Sequence, residues 1–275
     1  MQVSQIAARG IALLGCGKMG SAMLAGWLDR GVDPDTVWVI DPNPSDWLRQ
    51  TGVHLNAPLP ETGDRAPGIV LIAVKPQMMG EALPQLQQLG NGETLFISVA
   101  AGTSIATYES LLGAQTPIVR AMPNTPAAVG RGITALIGNM RATEADINRA
   151  DALLQAIGQT VRLQSEAQMD AVTGVSGSGP AYVFHLIETL AAAGEAEGLP
   201  ADLAMQLAKA TVAGAGALAE ASEETPAQLR VNVTSPNGTT QAALEVLMDE
   251  TDGFPPLLRR AVAAATNRSR ELSRG

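Results

Sequence analysis

The sequence predicts a chain in two parts: an α/β half built on a mainly parallel, doubly wound sheet, followed by an all-helical half. Three observations predict this. Short β-branched apolar runs alternate with longer stretches of helical spacing through the first half, and a glycine-rich turn joins the first run to the first such stretch. After about residue 164 the strand-like runs give way to Ala-rich segments. At 275 residues the chain exceeds the commonest single-domain size, and the change of character sets expected domains of 1–166 and 167–275.

Taken in order, the strand candidates are Ile11–Leu14, Val37–Ile40, 69–74, 95–99, 118–121 and 134–137, each a short run rich in Ile, Val and Leu. Between them, 19–30, 78–89 and 104–112 carry apolar residues at helical spacing. Thr143 followed by Glu144 and Asp146 reads as a helix start. The expected order is βαβ throughout. Beyond it, 182–197, 202–221, 241–249 and 257–272 read as helices. The stretch 208–221 carries Ala or Gly at most positions, so its stability must come from packing, in part against another copy of the chain, rather than from propensity.

Composition narrows the function. A formal charge of −9 with only 18 dispersed Lys and Arg argues against nucleic acid and for a small-molecule ligand. The uncharged stretch 171–187 is broken by Gly174, Gly177, Gly179 and Pro180 and falls short of a membrane span. The single cysteine, Cys16, excludes an intramolecular disulfide and suits a reducing, cytoplasmic setting.

The sharpest local signal is Gly15-Cys16-Gly17-Lys18-Met19-Gly20, placed directly between a strand candidate and a helix candidate. In that context Gly15 permits the tight turn, Gly17 lets the backbone approach a pyrophosphate, and Gly20 allows close helix–strand packing. A helix N-terminus there presents unpaired N–H groups and the positive end of the dipole. The first half is therefore expected to be a Rossmann-type dinucleotide-binding domain. Cys16, Lys18 and Met19 fill the variable positions of the loop, where Cys16 and Lys18 read equally as ordinary loop residues. Asp41 ends the second strand candidate, where a carboxylate can accept hydrogen bonds from an adenosine ribose and repel a 2′-phosphate. With no Arg before Arg49, the expected cofactor is NAD(P)H with a lean to NADH. A turn residue before Pro42 is the other reading of Asp41.

Four further segments are distinctive: Ala73-Val74-Lys75-Pro76-Gln77, Arg120-Ala121-Met122-Pro123-Asn124-Thr125-Pro126, Val175-Ser176-Gly177-Ser178-Gly179-Pro180-Ala181-Tyr182 and Val233-Thr234-Ser235-Pro236-Asn237-Gly238-Thr239-Thr240. In these, and in their order along the whole chain, the sequence resembles the pyrroline-5-carboxylate reductase family. Where the commoner family form has Gly, this chain has Asn237, which tolerates left-handed backbone angles better than other non-Gly residues. The resemblance implies a soluble, metal-free NAD(P)H-dependent oxidoreductase that reduces the cyclic imine 1-pyrroline-5-carboxylate to L-proline. It also implies that the helical half is a dimerisation domain, forming a homodimer or higher homo-oligomer. Ala73, Val74, Lys75 and Pro76 would line the cofactor with Ala100, Ala101 and Gly102, and Asn232 would reach it from the second domain of a partner subunit.

The resemblance also points to Thr240, Ser235 and Glu223 for catalysis, with Thr240 first: its hydroxyl would orient the imine nitrogen directly or through water. Gly238, Thr239 and Thr240 open the helix candidate at 241–249, where free amides can hold the substrate carboxylate. Reducing a protonated imine leaves no negative charge on nitrogen, so positioning and desolvation can carry the reaction without a strong acid. Each residue has a plainer alternative: an N-cap at Thr240 and Ser235, a solvated charged pair at Glu223-Glu224, packed or surface residues at His54 and His185. Two other functions share the scaffold: a dehydrogenase of another imine or a hydroxy acid, and a non-catalytic dinucleotide-binding regulator. A hydroxy-acid reaction would want a Lys or His in the helical half, where Lys209 is the only Lys between residues 164 and 230.

Overall fold

The structure, a computed structural model, describes residues 3–6, 9–60 and 66–273. Contacts divide the chain into two units, Met1–Gly177 with Ala265–Gly275, and Ser178–Ala264.

In the first unit the elements run α1 (Val3–Ile6), β1 (Ile11–Leu14), α2 (Lys18–Asp29), β2 (Val37–Ile40), α3 (Asp46–Arg49), β3 (His54–Leu55), β4 (Ile69–Ile72), α4 (Met79–Ala82), β5 (Leu95–Ser98), α5 (Ile105–Leu112), β6 (Ile118–Met122), β7 (Gly132–Gly138), α6 (Glu144–Leu154), β8 (Gly158–Arg162) and α7 (Met169–Val172). Among the described residues the strands make one sheet of order β3-β2-β1-β4-β5-β6-β7-β8. Adjacent strands are parallel except β6 and β7. The chain leaves β1 toward β2 and later returns to β4 on its other side, so the sheet has a topological switch point between β1 and β4.

Both faces of the sheet are covered, which is why its strands are continuous apolar runs rather than alternating ones. Ile11, Leu13, Val37, Val39, Ile69, Leu71, Leu95 and Ile97 face a core closed by Met23, Leu24 and Trp27 of α2 and by Leu153 and Leu154 of α6. Trp27 satisfies its indole N–H on the Leu153 carbonyl at 3.0 Å. Ala12, Leu14, Val70, Ile72 and Phe96 face the opposite core with Leu83, Leu86, Leu89, Tyr108 and Leu112.

Several sequence expectations change here. The βαβ order fails between β6 and β7, which pair antiparallel across a 3₁₀ turn, Thr125–Val129, opened by Pro126. The helix expected over 78–89 is α4 followed by 3₁₀ turns over Leu83–Leu89, because Pro84 cannot donate to the preceding turn. Thr143 does start α6, in a capping box with Asp146.

The expected division after residue 166 differs from the contacts, which keep 167–177 and 265–275 with the sheet. Glu166 accepts from Arg120 at 2.7 Å and from the Ile105 amide at 2.9 Å. Ser269 donates to Asp170 at 2.7 Å, and Leu272 lies against Gly102, where an added Cβ would meet its Cβ at 3.4 Å.

The second unit holds α8 (Gly179–Ala196), α9 (Ala201–Ala221), α10 (Pro226–Asn232), α11 (Thr239–Leu247) and most of α12 (Phe254–Leu272). α8 and α9 pack through Ala191, Ala204 and Ala208, with Ile187 and Met205 beside them. Among the described residues no helix is long and apolar enough to cross a membrane.

Candidate functional site

In the first unit the sequence-predicted cofactor residues gather at the carboxyl ends of β1, β2, β4 and β5. Gly15 leaves β1 with φ +86°, and a Cβ there would lie 2.8 Å from Val74 Cγ1 and 3.0 Å from the Ala73 carbonyl oxygen. The loop and the end of β4 are thus in contact, and the absence of a side chain at Gly15 makes that contact possible. Gly20 sits in the first turn of α2, where a Cβ would stand 2.3 Å from the Gly15 carbonyl oxygen. Gly17 caps α2 with extended backbone angles and faces open space.

This arrangement fits a dinucleotide. Gly17 and the following amides of α2 leave room for a pyrophosphate at a helix N-terminus, outside the strand ends at the switch point.

Asp41 is 9% exposed, and its carboxylate is held by two amides, Cys16 N–H at 2.6 Å on Oδ2 and Asn43 N–H at 2.8 Å on Oδ1. It therefore ties the glycine loop to the end of β2. A carboxylate has about four lone-pair sites, so one on each oxygen is left for a ribose hydroxyl. Sequence reasoning missed the residue that sets Asp41 in place. Asn56, at φ +52°, accepts the Asp41 amide and donates to the Asp41 carbonyl, both at 2.9 Å. An Asn at the end of a strand-like run, before Ala57-Pro58, was the available signal. Next to it a cavity of about 360 Å3 opens among Ile40, Asn56, Leu59 and Gln85.

The intervening loop residues differ from one another. Cys16 is turned inward, with Sγ 3.5 Å from Ser21 Oγ, and burial pushes its thiol pKa up. Lys18 is exposed and Met19 packs against the core. Ala73 donates to Leu14, Lys75 is exposed, and Pro76 opens a 3₁₀ turn. Ala100, buried beneath an exposed Ala101, donates to Ser98 Oγ at 3.3 Å, while Gly102 turns the chain at φ +74°.

In the second unit the turn Ser235–Gly238 closes with the Gly238 amide on the Ser235 carbonyl at 3.0 Å. Asn237 occupies the left-handed region at φ +59°, as the Asn-for-Gly exchange requires, and its amide donates to Gln241 Oε1 at 2.7 Å. The Gly238 amide is thereby spent inside the turn. The Thr239 and Thr240 amides stand in the first turn of α11, where no helical carbonyl precedes them. Gly238 is the N-cap and no side chain caps the helix, so the half-buried Thr240 is not an N-cap. Ser235 is exposed in the same turn.

Two residues stand apart from this turn. The Asn232 side chain bonds to Glu224 at 3.0 Å and to Gln228 at 2.8 Å, and Glu223 is exposed. The histidines are accounted for elsewhere: His54 stacks on Trp38 and bonds the Asp35 carbonyl at 2.9 Å, while His185 pairs with Glu188 on the surface of α8.

Comparison with known proteins adds to this geometry. Residues 166–272 match the family model described as pyrroline-5-carboxylate reductase dimerisation, and residues 10–102 match one described as NADP oxidoreductase coenzyme F420-dependent. The chain is 39% identical over 269 residues to a pyrroline-5-carboxylate reductase of Pseudomonas aeruginosa, covering 96% of each chain. Its fold is similar to that of a pyrroline-5-carboxylate reductase from Coxiella burnetii, with a TM-score of 0.89, 34% identity, and 96% of this chain and 98% of that one covered. It also resembles a pyrroline carboxylate reductase of Plasmodium falciparum solved with NADP bound, at a TM-score of 0.81 and 29% identity, again over 96% and 98% of the two chains.

Proposed function

The chain belongs to the pyrroline-5-carboxylate reductase family, and on that premise we propose that it reduces 1-pyrroline-5-carboxylate to L-proline with NAD(P)H, the last step of proline biosynthesis. The observation that carries this reading is the turn before α11. A left-handed Asn237 sets up a helix start whose Thr239 and Thr240 amides are unspent and whose Thr240 hydroxyl is not used as a cap. That suits a small anion bearing a reacting nitrogen better than it suits a hydroxy acid, which wants a basic side chain to take the alcohol proton. Neither histidine is free for that work, and Lys209 is an exposed residue of α9.

The chemistry assigned to the chain is recognition and positioning. The dinucleotide, when bound, would supply a hydride to the imine carbon; because the imine enters protonated, the C=N electron pair returns to a nitrogen that already carries its proton, and the bond becomes a C–N single bond. Gly17 and the first amides of α2 would hold its pyrophosphate, and Asp41 its ribose. The Thr239 and Thr240 amides would take the substrate carboxylate. The Thr240 hydroxyl would orient the imine nitrogen, with Ser235 in a supporting place. Gly238, whose amide closes the turn, shapes the site through its backbone, and Glu223 and Asn232 stay secondary candidates.

Asp41 supports a preference for NADH through its remaining lone pairs. A homodimer or higher homo-oligomer is supported by the second unit, which buries little of its own apolar surface while Phe184, Leu207, Leu218 and Val246 are 48–72% exposed. A cytoplasmic location is supported by the lone cysteine.

The test is oxidation of NADH and NADPH by the purified protein with 1-pyrroline-5-carboxylate. Turnover with stoichiometric L-proline is expected. Cofactor binding without turnover would favour the non-catalytic regulator instead.

A further inference from the structure

A second concave site lies at the opposite edge of the sheet from the glycine loop. It has a volume of about 370 Å3, and its wall includes Arg9 before β1, Glu93 before β5, Gln115 before β6, Arg141 after β7, and Asp146 and Arg149 of α6. Because β7 runs antiparallel to β6, its end lies at the same edge as the starts of β1, β5 and β6. Three of the chain's 18 Lys and Arg side chains therefore meet in one cavity of a protein of net charge −9.

The two carboxylates there do not cancel the three guanidiniums. Asp146 is committed to α6, accepting from the Thr143 amide at 2.8 Å, from the Thr143 hydroxyl at 2.6 Å and from Arg149. Glu93 accepts from Arg9 at 3.0 Å. Each guanidinium carries five N–H donors, so these pairs leave most of the donors of Arg9 and Arg149 unspent. Among the described residues Arg141 has no carboxylate partner.

The wall is also fixed in advance. The Asn139 side chain accepts the Ile118, Arg141 and Ala142 amides at 3.0–3.2 Å and donates to the Thr116 carbonyl and Glu109 at 2.9 Å, pinning the turn that carries Arg141. Asn91, at φ +56°, accepts the Gln115 amide at 3.0 Å and donates its own amide to Thr116 Oγ1 at 2.8 Å. The stem of Arg9 crosses Gly68, where an added Cβ would lie 2.9 Å from the Arg9 Cβ. A backbone pinned in this way lowers the ordering cost of binding to the side chains that it carries. Small-molecule pockets are mostly apolar, whereas this one is charged, so its ligand must be charged as well.

We infer that this cavity is a binding site for a doubly charged oxyanion of a small metabolite, recognised by the guanidiniums of Arg9, Arg141 and Arg149. Arginine forks match phosphate and carboxylate alike. Binding there holds the starts of β1, β5 and β6 to α6, so the ligand stabilises the sheet unit by mass action without competing for the glycine loop.

Isothermal titration of the full-length protein tests this with inorganic phosphate and, separately, with succinate as a two-carboxylate probe, both at fixed ionic strength. At least one probe should bind saturably with one site per chain. Arg9→Ala/Arg141→Ala should weaken it roughly ten- to a hundredfold, the loss expected on removing two charge-assisted donors. Arg141→Gln alone should show a smaller loss in the same direction. Turnover without added anion should match the parent. Saturable phosphate binding identifies a phosphoryl-bearing ligand, and saturable succinate binding a dicarboxylate. The inference is overturned if neither probe saturates, or if the double variant binds as the parent does, which would put the anion on the glycine loop or on the turn before α11.

Discussion

The two units of this chain solve the burial problem differently. In the sheet unit, Trp27, Phe96, Leu71 and Tyr108 are fully buried, and both faces of the sheet are closed by the unit's own helices. In the helical unit the buried hydrophobics are Ala191, Ala204 and Ala208, while leucines, valines and a phenylalanine stand half exposed. Three alanines cannot offset the entropy of ordering five helices. The sheet unit closes its own core, and the helical unit leaves its large apolar side chains to the second copy proposed above.

The largest expected effects test that contrast directly. Trp27→Ala should cost about 3–5 kcal/mol in denaturant unfolding, at every protein concentration, because it removes a buried indole and its hydrogen bond to the Leu153 carbonyl. Leu207→Glu should cost about as much, on the order of 3–5 kcal/mol for an unpaired charge in the interface proposed above, but its penalty should grow on dilution. Light scattering should then find monomer, with activity lost. Met140→Glu, at a site 97% exposed on the sheet unit, should stay within roughly 0.5 kcal/mol of the parent. A Leu207→Glu protein that remains oligomeric and active would break the comparison.

Thr240→Val comes next. Removing one well-placed hydrogen bond at the proposed substrate site should cost about 1.5–3 kcal/mol, or roughly ten- to a hundredfold in kcat/KM, with NADH binding intact. His54→Gln and His185→Gln should leave kcat/KM nearly unchanged. The reverse pattern would move the chemistry off the turn.

In the sheet unit, Asp41→Ser should shift the ratio of kcat/KM values for NADPH over NADH upward by roughly tenfold, on the order of 1.4 kcal/mol. It should also raise KM for both cofactors, since the Cys16 amide loses its acceptor. An unchanged ratio would leave Asp41 the loop fastener alone.

The smallest effect is a pH effect. Burial alone would push the Asp146 carboxyl up, but hydrogen bonds from the Thr143 hydroxyl and Arg149 outweigh it and hold the pKa below its ordinary value. The folded protein therefore holds this proton less tightly than the unfolded chain does. Its contribution to stability is present above the ordinary carboxylate range and is lost as the pH falls through the depressed folded value. Asp146→Asn should flatten that acid limb in the thermal midpoint, and an unaltered limb would assign it to other carboxylates.

Much of this was legible because the responsible physics is local. The buried runs of β1 and β2, the glycine loop, the Thr143 capping box and the left-handed Asn237 all follow from residue types at fixed spacing. What escaped depends on partners distant in sequence. β8 is a half-exposed edge strand, Gly158–Arg162, whose one strand neighbour β7 gives it no apolar signature. α10 is seven residues long, too short for a periodic pattern. At the site, spacing marked Gly238, Thr239 and Thr240 as equals, and only the fold reveals that the Gly238 amide is consumed by Ser235. Asn56 could be read as a turn residue, but not as the clamp on Asp41, which lies 15 positions away.

One junction bears on how the protein is made. The sheet unit is interrupted by residues 178–264 and completed by the last stretch of α12, where Ser269 meets Asp170 and Leu272 covers the Gly102 turn. A ribosome delivers the chain N-terminus first, at roughly 5–20 residues per second. The glycine loop and its strands emerge early, but the segment that seals the turn after β5 is synthesised only after the whole helical unit. For the several seconds in which the helical segment is being translated, the nascent sheet waits with that turn uncovered, and the final fastening of the sheet unit must follow synthesis of the helical unit.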